Sequence, residues 1–102
     1  CDIRIAAASS KFAESFVRLG ITPGDGGAWL LPRIVGFSKA SELALTGETI
    51  DAAAALRIGL VSEVVPADDL MPLAHNRPES IGRRTAVHAQ ESACVFRSFH
   101  SR

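Results

Sequence analysis

GITPGDGGAWLLPRIVG, Gly20 to Gly36, places four glycines and a proline in its first eight residues and then turns abruptly apolar. A glycine-rich turn that runs into a helix leaves several backbone N–H groups clear of side chains and adds the positive end of the helix dipole. Such a loop can receive an anion, a water or a carbonyl oxygen at close range. Dinucleotide binding fits poorly, because GDGG is not GxGxxG and no acidic residue follows a second strand at the right distance. The same glycines also let the helix pack tightly on its neighbours, a role compatible with the first.

Working outward, Asp2 to Ala8 (DIRIAAA) is short, β-branched at alternate positions and bounded by Ser9 and Ser10, which suits a buried strand. A shorter strand is expected over Lys11 to Phe16. Pro23 and Gly24 break the chain, and a helix is expected from Gly26 to Val35. Its apolar residues Trp29, Leu30, Ile34 and Val35 form no single narrow stripe, so burial on more than one side is expected. Pro32 is tolerated there as a first-turn or kink residue. Ser38 can cap a second helix that Gly47 closes, and Asp51 a third, alanine-rich helix through Ile58, stopped by Gly59. Leu60 to Val65 reads as a strand ended by Pro66, and a fourth helix begins near Asp68 with Asp69 complementing its dipole. The alternation of strands and helices points to an α/β layer fold.

The 102 residues suffice for one small domain, with 47% hydrophobic residues and eleven acidic against eleven basic side chains. That balance removes the simplest argument for a nucleic-acid or anionic-membrane partner, and neither is expected. No apolar run approaches the roughly 20 residues that span a bilayer. Cys1 and Cys94 lie at opposite ends without metal-ligand spacing, which is the pattern of reduced, unpaired thiols in a cytoplasmic protein, and no metal site is expected. The chain opens on Cys1 without an initiator methionine and reads as a fragment.

Three linked segments carry a family resemblance: CDIRIAAASSKFAES, LGITPGDGGAWLLPRIVG and KASELALTGETIDAAAALRIGLVSEVVPADDL. Together, over Cys1 to about Ala74, they resemble the middle of the crotonase (enoyl-CoA hydratase/isomerase) superfamily. The resemblance implies a partial ββα spiral lacking its N-terminal turns, acyl-CoA thioesters as substrates with no further cofactor, and homo-oligomers, trimers or hexamers, for the full-length proteins. It also implies an oxyanion hole of two backbone N–H groups that stabilises a thioester enolate. In the hydratases that this chain resembles, the first glycine after the proline presents its N–H to the catalytic water; that position is Gly24.

Both oxyanion-hole donors and one glutamate of the family belong to segments upstream of the position of Cys1. The second hydratase glutamate falls at Phe16, which cannot transfer a proton. Two nearby carboxylates are candidates to stand in. Glu14 lies two residues earlier, on the same face if the segment is a strand. Asp25 lies one residue after the position where dienoyl-CoA isomerases and the chlorobenzoyl-CoA dehalogenase carry a functional aspartate. Each has a plain alternative: a helix-lead-in cap for Asp25, a solvated or salt-bridged carboxylate for Glu14. Asp2 and Arg4 suit an ion pair, Arg33 suits a surface carboxylate or the CoA phosphates, and Trp29 suits the core or a subunit contact. His75, His88 and His100 share no ligand or triad spacing.

The expected function is therefore that of an enoyl-CoA hydratase/isomerase relative, inactive as an isolated fragment. An isomerase-type member using Asp25 or Glu14 as base, and a non-catalytic remnant that acts only in subunit packing, remain open. Residues 75–102 form a divergent tail with all three histidines, five arginines and no lysine. Read one base later, the codons of Arg83 to Glu91 can give Ala-Glu-Pro-Pro-Phe-Thr-Leu-Lys-Lys, which resembles the family's missing segment. The tail is thus expected to be a shifted reading frame and poorly ordered.

Overall fold

The computed structural model describes residues 3–24, 26–82 and 93–96. Strand β1, Ile3–Ala7, is its centre. Successive side chains point to opposite faces of a strand, and here both faces are covered. Ala6 joins Leu43, Ile50, Ala55 and Val61 in one buried cluster, while Ile5 and Ala7 join Leu70 in a second on the other side. The alanines let neighbouring elements approach closely, which is why a strand so poor in large residues can be a core strand.

After a turn in which Ser10 N–H donates to Ala7 O (2.9 Å), β2, Lys11–Ala13, runs antiparallel to β3, Thr49–Asp51, with Phe12 opposite Ile50. The sequence predicted a strand to Phe16, and it stops at Ala13. A 3₁₀ turn, Ser15–Leu19, follows instead. The reason is the partner: the β2–β3 ladder ends at Ala13–Thr49, and the chain preceding β3 comes from Gly47, against which Val17 and Arg18 pack.

Helix α1, Gly27–Val35, leads directly into α2, Phe37–Thr46. Ser38 is not the cap of α2. Gly36 holds that place at φ 87, ψ 156, a conformation open to glycine, so the chain turns in one residue and Ser38 falls inside the first turn. Nor is α1 buried on several sides: none of its residues is fully buried, and Trp29 and Leu30 are 64% and 54% exposed. Helix α3, Ala52–Arg57, is capped as expected, with Asp51 Oδ1 accepting from Ala54 N–H at 2.7 Å.

Strand β4 is Glu63–Val65, shorter than the predicted Leu60 to Val65. The N–H groups of Leu60 and Val61 both donate to Ala55 O, so these residues close the end of α3 and do not join the ladder. Helix α4, Ala67–Gly82, has Asp68 and Asp69 in its first turn, and Ala74 falls inside it. Strand β5, Ala93–Phe96, completes a parallel sheet of order β4–β1–β5, with Ile5 opposite Glu63 and Ile3 opposite Ala93.

Candidate functional site

The glycine loop delivers the chain into α1 through Gly26, the N-cap, at φ 85. Intrahelical bonding begins where Trp29 and Leu30 N–H donate to Gly26 O, at 3.0 and 2.9 Å. The backbone of Gly26 to Ala28 therefore lies at the positive end of the helix. Gly24 is exposed, and a Cβ built there would meet nothing within 4 Å. Asp25 lies outside the described residues.

Glu14 sits where β2 gives way to the 3₁₀ turn. Its side chain makes no capping hydrogen bond to that turn. It lines a cavity of about 340 Å³ with Lys11, Phe12 and Ala13 on one side and Leu31, Leu43, Ile50 and Leu60 around it. The residue is half-buried and its Oε1 is shielded from solvent. A carboxylate at the wall of an apolar cavity is an arrangement suited to holding or moving a proton.

The route to that position differs from the expected one. Glu14 and Phe16 do not share a strand face, because β2 ends at Ala13, Glu14 is the residue before the 3₁₀ turn and Phe16 lies inside it. Phe16 is not part of the cavity wall; its carbonyl accepts from Ile21 N–H at 3.3 Å and helps close the turn. Gly24 does not line the cavity either. The link between the glycine loop and Glu14 is α1 itself, which contributes Leu31 to the wall.

Other singled-out residues have structural partners. Arg33 lies over the Trp29 ring, its guanidinium carbon 3.3 Å from the centroid, and its Nη1 donates to Trp29 O at 2.7 Å. This stack occupies the side chain expected to meet a carboxylate, and it keeps Trp29 on the surface, outside the core. Arg4 Nε donates to Leu60 O at 2.6 Å, while Asp2 lies outside the described residues. His75 Nδ1 donates to Met71 O at 2.8 Å. His88, His100 and Cys1 lie outside the described residues, and of Cys94 only the backbone is described, in β5. Among the described residues no group of three or more His, Cys, Asp or Glu side chains could hold a metal ion, and no helix is long and apolar enough to cross a membrane.

The cavity residues Leu31, Leu43, Ile50 and Leu60 carried no signal of their own. In sequence they are ordinary core positions, and only the crossing of β2, β3, α1, α2 and the end of α3 brings them together.

Comparison with known proteins gives a consistent picture. The family described as "Enoyl-CoA hydratase/isomerase" matches residues 1–97. A probable enoyl-CoA hydratase of Mycobacterium tuberculosis is 46% identical over 102 residues, covering 99% of this chain and 40% of the relative. A short-chain-enoyl-CoA hydratase of Clostridioides difficile is 55% identical over 90 residues, covering 88% of this chain and 56% of the relative. Among solved structures, an enoyl-CoA hydratase from Bacillus anthracis superposes with a TM-score of 0.78 at 43% identity, over 80% of this chain and 32% of that one. The chain thus spans about two fifths of the length of the mycobacterial relative.

Proposed function

The chain belongs to the enoyl-CoA hydratase/isomerase family and has a partial crotonase fold, and from that premise we propose that it binds acyl-CoA thioesters and contributes to chemistry that passes through a thioester enolate. The observation that carries the reading is Glu14: a carboxylate with a shielded oxygen, in the wall of an apolar cavity that α1 also lines. On this reading the Gly24 N–H at the lead-in to α1 holds a water or a carbonyl oxygen, and Glu14 holds or moves the proton. Asp25, next to Gly24, is the second candidate base. With Phe16 where the hydratases carry a glutamate, a single carboxylate that shifts a proton within the substrate, as in an isomerase, is the simpler chemistry for these residues.

Calorimetric titration of the purified chain with acyl-CoA tests the reading. Acyl-CoA is expected to bind more tightly than free CoA, and Glu14→Gln to alter that preference. Equal affinity for the two would overturn it.

A second reading, action through subunit packing alone, is favoured by the apolar surface of the 3₁₀ turn, α1 and α2. Leu19, Trp29, Phe37 and Leu45 are each more than 60% exposed. A homo-oligomer, trimeric or hexameric, in the cytoplasm is the setting in which both readings operate.

A further inference from the structure

We infer that Arg18 is a positioning residue for Glu14: by holding the 3₁₀ turn to the end of α2, it fixes where the Glu14 carboxylate meets the cavity. The inference rests on the thioester reading above for what Glu14 does, and adds to it the residue that sets its place.

The backbone at Glu14 lies between a strand that ends at Ala13 and a turn, Ser15–Leu19, that contains no fully buried side chain. A segment with so little buried apolar surface is not held by packing alone. Two fasteners bracket it. On one side Ala13 pairs with Thr49 at the end of the β2–β3 ladder. On the other, Arg18 Nη2 donates to Gly47 O at 2.6 Å. The receiving residues, Gly47 and Thr49, lie two apart on one stretch of chain, and residues 14–17 bridge the positions that grip them. With both fasteners closed, Glu14 is confined to that bridge. With the second open, the turn is free to swing about Ala13 and carry the carboxylate off the cavity wall.

A guanidinium suits this role. Gly47 is the C-cap of α2, at the negative end of the helix dipole, and a cationic donor makes a stronger bond there than a neutral one. The turn then closes with Gly20 N–H donating to Val17 O at 3.0 Å and Ile21 N–H to Phe16 O at 3.3 Å, and the chain runs on toward Gly24. The clasp at Arg18 therefore bears on the lead to the glycine loop as well as on Glu14.

The test follows the Glu14 side chain in the 102-residue chain labelled with ¹³C-glutamate. Its Cγ–H signal is assigned by its loss in Glu14→Gln, and broadening of that signal by a soluble gadolinium chelate reports its exposure. Arg18→Met keeps an apolar stem and removes the guanidinium. It is expected to raise the broadening of Glu14 to the level of Glu48, an exposed glutamate. Leu73→Ala, which weakens the cluster on the opposite side of β1, is expected to leave Glu14 as shielded as in the unaltered chain. Circular dichroism checks that Arg18→Met folds, and Arg18→Leu serves in its place if it does not. In calorimetric titrations, Arg18→Met and Glu14→Gln are expected to change the preference for acyl-CoA over CoA by the same factor, and the double variant by no more than that factor.

Glu14 that stays shielded in Arg18→Met, exposure produced equally by Leu73→Ala, or effects on the preference that multiply in the double variant each overturn the inference. The two readings fail separately. Acyl-CoA and CoA that bind alike remove the thioester reading, while the broadening still decides the role of Arg18. A preference for acyl-CoA, with Glu14 shielded in Arg18→Met, leaves the thioester reading intact and removes the positioning role.

Discussion

Arg18 and Gly47 fasten the 3₁₀ turn to the end of α2: Arg18 Nη2 donates to Gly47 O at 2.6 Å, and the turn closes down on a residue without a side chain. Gly47 has φ 63, and a Cβ there would lie 2.9 Å from Val17 Cγ1 and 3.3 Å from Arg18 Cγ. Backbone conformation and contact both exclude a larger residue. Gly47→Ala is expected to destabilise the chain by about 2 kcal/mol, from the left-handed conformation and the displaced turn together. Urea unfolding measures it. A change under about 0.5 kcal/mol, the range of ordinary surface substitutions, would mean that the turn is not held as tightly as its geometry indicates.

Asp51 ends β3 and caps α3 through Ala54 N–H. Removing the cap by Asp51→Ala should lower stability by about 1 kcal/mol, and Asp51→Ser should restore most of it, since a hydroxyl can accept the same bond. Thermal melts of the three proteins give the comparison. Equal loss in both variants would assign the effect to the strand and not to the cap.

The isolated chain is expected not to hydrate crotonyl-CoA. Phe16 stands where the family's hydratases carry a glutamate and cannot transfer a proton, and a positioned acid or base typically contributes about 100- to 10,000-fold to such a reaction. Hydration is followed by loss of the enoyl thioester absorbance. Turnover that disappears in Asp25→Asn would refute the expectation and make Asp25 the catalytic residue.

Self-association is the fourth expectation. Phe37 is 79% and Leu45 76% exposed on α2, and apolar surface of this extent on a small chain favours contact with another molecule. Sedimentation velocity should show species larger than 10.8 kDa, and the double substitution Phe37→Glu, Leu45→Glu should shift them toward the monomer. A compact monomer before any substitution would count against the packing reading.

The features legible in the sequence were those whose cause is local. Asp51 as a cap, Gly36 and Gly47 as helix ends, and the apolar run of β1 follow from side-chain chemistry within a few residues. The 3₁₀ turn over Ser15–Leu19 follows from a partner far along the chain, Gly47, while β4 is short because Leu60 and Val61, strand-like by residue type, close the end of α3 on Ala55 O. The site divides in the same way. The glycine lead-in to α1 and the candidacy of Glu14 were visible, but the shared-face argument for Glu14 failed with the strand on which it rested. The cavity that gives Glu14 its setting depends on β2, β3, α1, α2 and the end of α3 meeting.

Asp51 has a mechanical consequence as well. It pairs with Lys11 as the last rung of the β2–β3 ladder and is also the first anchor of α3, so no loop separates the sheet from that helix. One side of the cavity, built from Lys11 to Glu14 and Ile50, is thereby a stiff abutment. The opposite side, Leu31 and Leu43, belongs to two helices joined through the single residue Gly36. Any widening that admits a ligand falls on that compliant joint, so rigidifying the Gly36 linkage should slow entry and exit of a ligand together and leave its equilibrium affinity nearly constant.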